Sequence, residues 1–104
     1  MNNLEVKNII FEKDESPAIH GGYLYIYSQD DLVKIASIPS PNPITEDNND
    51  PLVTNEDNFM DSAGNEYQVI IESSLFFLKW SIIGKNIEND NYKNLKAEVK
   101  YSDY

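Results

Sequence analysis

One histidine, eighteen carboxylates and no cysteine bound the chemistry open to this chain of 104 residues. A nucleophilic triad needs a base and an orienting acid around its nucleophile, and a multi-histidine zinc site needs several imidazoles. His20 is the only histidine and stands beside Gly21-Gly22, so it reads as a solvated loop residue. Without cysteine, disulfides and thiolate metal sites are excluded. The acids Glu46, Asp47, Asp50, Glu56, Asp57 and Asp61 crowd one stretch. Calcium asks for about six to eight oxygen ligands, usually from a loop of regularly spaced Asp and Asn around a glycine. No spacing here reproduces that loop, so a solvated acidic loop is expected. Paired carboxylates for glycoside hydrolysis need rigid strand ends around a cleft. These acids fall in an irregular stretch instead, and the expectation is no enzyme, no catalytic residue, no metal and no cofactor.

The aromatic residues offer binding rather than reaction. Trp80 with the tyrosines could form a sugar-stacking platform. Trp80, however, alternates in register with Phe76, Leu78 and Ile82, which favours the core. Tyr23, Tyr25 and Tyr27 share one side of a strand, and Leu24 and Ile26 the other. Such a stripe belongs either to the core or to an interface, where tyrosine is enriched. The alternation alone leaves both open.

Composition narrows the partners. The net charge is −10, and all eight basic residues are lysines. A duplex-DNA binder needs a basic face to release counterions, and usually arginine for bidentate contacts. Nucleic acid is therefore not an expected partner, and an anionic membrane is disfavoured for the same reason. The start, MNNLEVKNIIFEKD, lacks the charged-then-apolar layout of a signal peptide, and the longest apolar run, Leu75 to Leu78, is too short to span a bilayer. Synthesis in the cytoplasm is expected.

The elements that would position these residues are strands. Leu4 to Phe11 reads as an edge strand or an extended arm, with Leu4, Val6 and Ile10 on one side and Ile9 and Phe11 on the other. A polar connector follows to His20, so that 1–20 forms an arm and connector ahead of a single β domain at 21–104. Tyr23 to Tyr27 and Leu32 to Ile38 form a hairpin around Ser28-Gln29-Asp30-Asp31. A helix capped by Ser28 with Asp31 competes for the second strand, but β-branched Val33, Ile35 and Ile38 and the closing Pro39 favour the strand. Residues 39–58 read as irregular, with Pro39, Pro41 and Pro43 on an extended path. Phe59-Met60 enters a turn at Asp61-Ser62-Ala63-Gly64, and Tyr67 to Ile71 leaves it. Glu72-Ser73-Ser74 reads as a second turn, Leu75 to Ile83 as a strand and Gly84 to Asn91 as a loop. Leu95 to Tyr101 alternates with outward lysines, as an edge strand would. The fold class expected is all-β: a small antiparallel β-sandwich or flattened barrel of about six strands with one long Pro/Asp/Asn-rich loop.

The order of the pieces resembles a module of tailed bacteriophages, the N-terminal virion-binding domains of tailspikes and of tail or head fibres. The matching pieces are Gly22-Tyr23-Leu24-Tyr25-Ile26-Tyr27, Asp31-Leu32-Val33-Lys34-Ile35, Asn42-Pro43-Ile44, Pro51-Leu52-Val53-Thr54, Asp61-Ser62-Ala63-Gly64, Tyr67 to Ile71 and Phe76-Phe77-Leu78. The resemblance implies a β-rich, non-enzymatic virion structural protein that anchors or adapts a fibre or spike to capsid or tail. It also implies other virion proteins as partners and a homo-oligomer, with a trimer as the expected form. The stretch between Ile38 and Asp61 is longer and more acidic than that pattern. On this reading the candidate contacts are Leu4, Val6, Ile9, Phe11, Tyr23, Tyr25, Tyr27, Pro41 and Pro43. A carbohydrate-binding β-sandwich is the competing expectation.

Overall fold

A computed structural model of the chain describes residues 8–15, 21–29, 31–47, 49 and 51–101. Among them are seven strands: β1 Asn8–Glu15, β2 Gly22–Ser28, β3 Asp31–Ile38, β4 Val53–Met60, β5 Glu66–Ser73, β6 Leu78–Asn86 and β7 Leu95–Tyr101. A single 3-10 turn, Asp90–Asn94, precedes β7. The strands form two antiparallel sheets, one ordered β1-β6-β5-β4 and the other β3-β2-β7. The fold is thus the expected all-β sandwich; the sheets remain separate and do not close into a barrel.

Alternation builds the core. Leu24 and Ile26 from β2, Ala36 and Ile38 from β3, Val69 and Ile71 from β5, and Leu78, Trp80 and Ile82 from β6 all turn inward and are buried. Burying a side chain of this size stabilises the fold by about 1.5–3 kcal/mol. Trp80 is 3% exposed and packs against Phe11, the ring centroids lying 6.4 Å apart.

Several boundaries differ from the sequence expectation. β1 runs on through Glu12–Glu15, which pair with Ser81–Leu78 of β6, rather than giving way to a connector at Glu12. Its register shifts between Ile9 and Phe11, and that bulge lets Ile10 and Phe11 both pack against the core although they are adjacent. The hairpin β2–β3 forms as a strand pair, not as a strand and helix, with Gln29 at φ 50° in its turn.

Val53–Asn58 belongs to β4, inside the stretch expected to be irregular. Its inward positions Asn55 and Asp57 are polar, which hides the strand from a hydrophobic pattern. They are satisfied across the sandwich. Asn55 Nδ2 donates to the Ser37 carbonyl at 3.0 Å, and Asp57 forms an ion pair with Lys34. These contacts link β4 and β3, an edge strand of each sheet.

The second turn comes later than expected. Glu72 and Ser73 end β5, and the tip is Ser74–Phe77, where Ser74 Oγ accepts from the Phe76 and Phe77 N–H groups at 2.9 and 3.0 Å. Phe76 is therefore out of register with Trp80 and 71% exposed. β6 in turn extends through Gly84 to Asn86. A Cβ at Gly84 would run into the Ile87 side chain, so this strand position admits only glycine without rearrangement.

Candidate docking face

β2 is the central strand of the three-stranded sheet, and its inward Leu24 and Ile26 fix the opposite side chains outward. Tyr23, Tyr25 and Tyr27 therefore line the outer surface of the domain, which resolves the choice between core and surface. The register surrounds them. Tyr23, Tyr25 and Tyr27 lie opposite Ser37, Ile35 and Leu32 of β3, and opposite Lys100, Glu98 and Lys96 of β7. Residues directly opposite in an antiparallel pair share a face. The result is a row of rings between an aliphatic flank and a charged flank.

Tyr23 is 46% exposed, Ile35 42% and Leu32 52%, while Tyr25 and Tyr27 are half-buried by their neighbours. The Tyr25 and Tyr27 rings are nearly parallel, 6.2 Å between centroids, and Tyr23 meets Tyr25 edge-on at 6.3 Å. Lys100 Nζ sits 4.7 Å from the Tyr25 centroid and 3.7 Å from Glu98 Oε1. In a chain with net charge −10, this face carries two lysines against one glutamate, and so is locally positive. Leu32, Ile35, Lys96 and Lys100 were not among the sequence candidates. Their signal is the cross-strand register, which a single strand's periodicity does not carry.

The remaining candidates do not join this row. Ile9 is 60% exposed on β1, in the other sheet. Phe11 lies against Trp80. Pro41 is half-buried and Pro43 exposed in the loop between β3 and β4, which a hydrogen bond from the Asn42 N–H to the Pro51 carbonyl closes at 3.0 Å. Leu4 and Val6 lie outside the described residues, as do His20 and Asp50.

The acids are dispersed or engaged. The Lys34 ammonium, and then the Asn58 N–H, hold the Asp57 carboxyl below the usual range. Asp61 is buried at the β4–β5 turn. Its Oδ1 accepts from the Ala63 and Asn65 N–H groups at 2.9 and 3.0 Å, and its Oδ2 from the Tyr67 hydroxyl at 2.6 Å. Burial pushes this carboxyl up, but the hydrogen bonds, Tyr67's foremost, outweigh it and hold the carboxyl below the usual range. Burial and the Asp61 acceptor together push the Tyr67 phenol well above its ordinary value. The Gly64 N–H donates to the Asp61 carbonyl at 3.1 Å, and Gly64, at φ 88°, then turns the chain so that the Asn65 carbonyl accepts from the Asp61 N–H at 3.1 Å. Asn65, fully buried, ties this turn to the β6–β7 connection through Asn89 Oδ1 at 2.9 Å and the Glu88 N–H at 2.9 Å. Among the described residues no three His, Asp or Glu side chains converge on a point that could hold an ion, and no helix is long and apolar enough to cross a membrane.

Comparison with protein-family models, with curated proteins and with solved structures gives no match in any of the three.

Proposed function

We propose that this chain is a non-enzymatic structural protein of a tailed-phage virion. It is an adaptor or anchoring domain that joins a fibre or spike to capsid or tail through protein–protein contacts. The observation that carries this reading is the outer face of the β3-β2-β7 sheet, where Tyr23, Leu32 and Ile35 stay more than two-fifths exposed around Tyr25 and Tyr27. Contiguous apolar and aromatic surface on a small domain marks an interaction site, and tyrosine with an aliphatic flank is the composition of protein interfaces. The order of the sequence pieces, which resembles phage virion-binding domains, supplies the kind of partner: another virion protein, not nucleic acid and not a membrane.

The test is immunolabelling of tailed-phage particles released from cells that carry the gene at its native locus. Label at the head vertex or tail, lost in a Tyr25→Ser/Ile35→Ser variant that still folds, supports the reading. Particles without label, with all antigen in the soluble fraction, overturn it.

A carbohydrate-binding sandwich is the second reading, favoured by the accessible tyrosine row. Two observations weigh against it. Trp80 is 3% exposed, and one face of Tyr25 is already occupied by the Lys100 ammonium. A tyrosine fluorescence change with a neutral glycan would reverse the ranking.

A further inference from the structure

We infer that two copies of this chain join through β7, edge to edge and antiparallel, in the register that sets Ala97 of one copy opposite Ala97 of the other. β7 is an edge strand, paired with β2 on one side only among the described residues. It pairs with β2 over its whole length without a register shift, whereas β1 and β3 are both bulged. Bulges and crowded charge blunt strand edges. β4 is also unbulged, but its Asn55 and Asp57 are tied to β3.

A groove of about 420 Å³ lies against β7, lined by Tyr27 of β2 and by the consecutive residues Lys96, Ala97 and Glu98. Consecutive strand residues point to opposite faces. Tyr27, Lys96 and Glu98 share the outer face, so this groove opens on that face, over β2 and β7, and the edge itself is judged by its charges. Strand addition uses the main-chain groups of the edge for affinity and alternate side chains for specificity.

Charge and the placement of Lys100 choose the occupant and the register: a pairing centred on Val99 would set Glu98 against Lys100, but the Lys100 ammonium is already held over the Tyr25 ring, 4.7 Å from its centroid. Outward lysines ordinarily discourage edge pairing, but Glu98 lies between Lys96 and Lys100. A self-pairing centred on Glu98 would oppose Glu98 to its own copy and Lys96 to Lys100, like against like. The pairing centred on Ala97 opposes Lys96 to Glu98 twice, and Leu95 to Val99 twice on the inner face. Opposite charges directly across a ladder are favourable, like charges unfavourable. A two-fold axis through Ala97, normal to the sheet, keeps both tyrosine rows on one continuous outer face. This dimer stands apart from the virion reading, which the resemblance pairs with a trimer.

The chain has no cysteine, so single cysteines can be scanned along β7 in the full chain. Facing Cα atoms in an antiparallel pair lie about 4.5–5.5 Å apart, within disulfide reach. Ala97→Cys is expected to give a disulfide-linked dimer on oxidation, and Lys96→Cys and Glu98→Cys much less. Light scattering from about 1 µM to about 1 mM should show a monomer–dimer equilibrium. Lys96→Glu or Glu98→Lys alone should weaken it by about tenfold, two cross-strand pairs being reversed in each, and the double swap Lys96→Glu/Glu98→Lys should restore it. Unchanged thermal unfolding of the variants at high dilution separates pairing from folding. A monomer throughout the range overturns the inference. So does a trimer, cross-linking strongest at another position, or a double swap that stays monomeric.

Discussion

Tyrosine meets opposite surroundings in two regions of this domain. At the β4–β5 turn, Tyr67 is fully buried, stacked on Phe59 at 4.8 Å, and its hydroxyl is spent on Asp61. On the outer face of the three-stranded sheet, Tyr23, Tyr25 and Tyr27 keep their hydroxyls off the core and their rings partly in water. The first region converts polar groups into fold stability, because the Tyr67 hydroxyl and the Ala63, Asn65 and Glu88 N–H groups are each matched to a side-chain acceptor. The second contributes little to stability and leaves its rings available to another surface. The same side chain thus separates holding the fold together from holding a partner, and substitutions in the two regions should give opposite profiles.

The largest effect is expected at the turn. Asp61→Ala strips the acceptor from the Tyr67 hydroxyl and from the Ala63 and Asn65 N–H groups at once. Leaving buried donors unmatched costs about 1–3 kcal/mol each, so a loss of about 3 kcal/mol or more is expected in urea unfolding. Tyr67→Phe keeps the ring and removes one donor, and should cost about 2 kcal/mol. A loss under about half a kcal/mol for either variant would mean that the corner is not what holds β4, β5 and the β6–β7 connection together.

The same corner fixes the pH profile. Asp61 is depressed in the folded state, so its contribution is present above the unfolded carboxylate value of about 4 and fades as pH falls through the folded value. Tyr67 is raised, so its contribution is present below the unfolded phenol value of about 10 and is lost as pH rises beyond it. Unfolding midpoints measured across pH should fall at both ends, and Tyr67→Phe should flatten the alkaline limb specifically. An alkaline limb unchanged in that variant would assign it to other groups.

On the outer face the profile inverts. Tyr25→Ser with Ile35→Ser removes one cross-strand pair, worth about 0.2–1 kcal/mol. The unfolding midpoint should move little while particle association is abolished. A large drop in stability with association intact would make this face part of the fold's support rather than a docking surface.

How far each region was legible follows from what its partners are. β2, β5, β6 and β7 alternate apolar and polar residues toward a single core, and that pattern is local. The tyrosine row was legible as a row, but alternation defines two faces without saying which is inside. Leu24 and Ile26 decide that only once β5 and β6 supply the opposite layer. β4 was not legible because its inward Asn55 and Asp57 are paired to Ser37 and Lys34, partners eighteen and twenty-three positions earlier. The Asp61 turn was read correctly from its Asp and Gly spacing, but the burial of Asp61 depends on Tyr67 and on Asn65 reaching Asn89, twenty-four positions away.

The smallest effect is expected at Phe76, and it sharpens the comparison from the other side. Sequence register set Phe76 beside Leu78, Trp80 and Ile82, where a large-to-small change would cost about 3–5 kcal/mol. In the fold it stands on the Ser74–Phe77 tip, 71% exposed, while the turn itself is held by Ser74 Oγ and by the Ser74 N–H donating to the Phe77 carbonyl at 2.9 Å. Phe76→Ser leaves those backbone hydrogen bonds untouched and should change stability by no more than about 0.5 kcal/mol. Trp80 emission should stay blue, since its packing against Phe11 does not involve the tip. A loss of several kcal/mol with a red-shifted Trp80 would return Phe76 to the core and move the start of β6 with it.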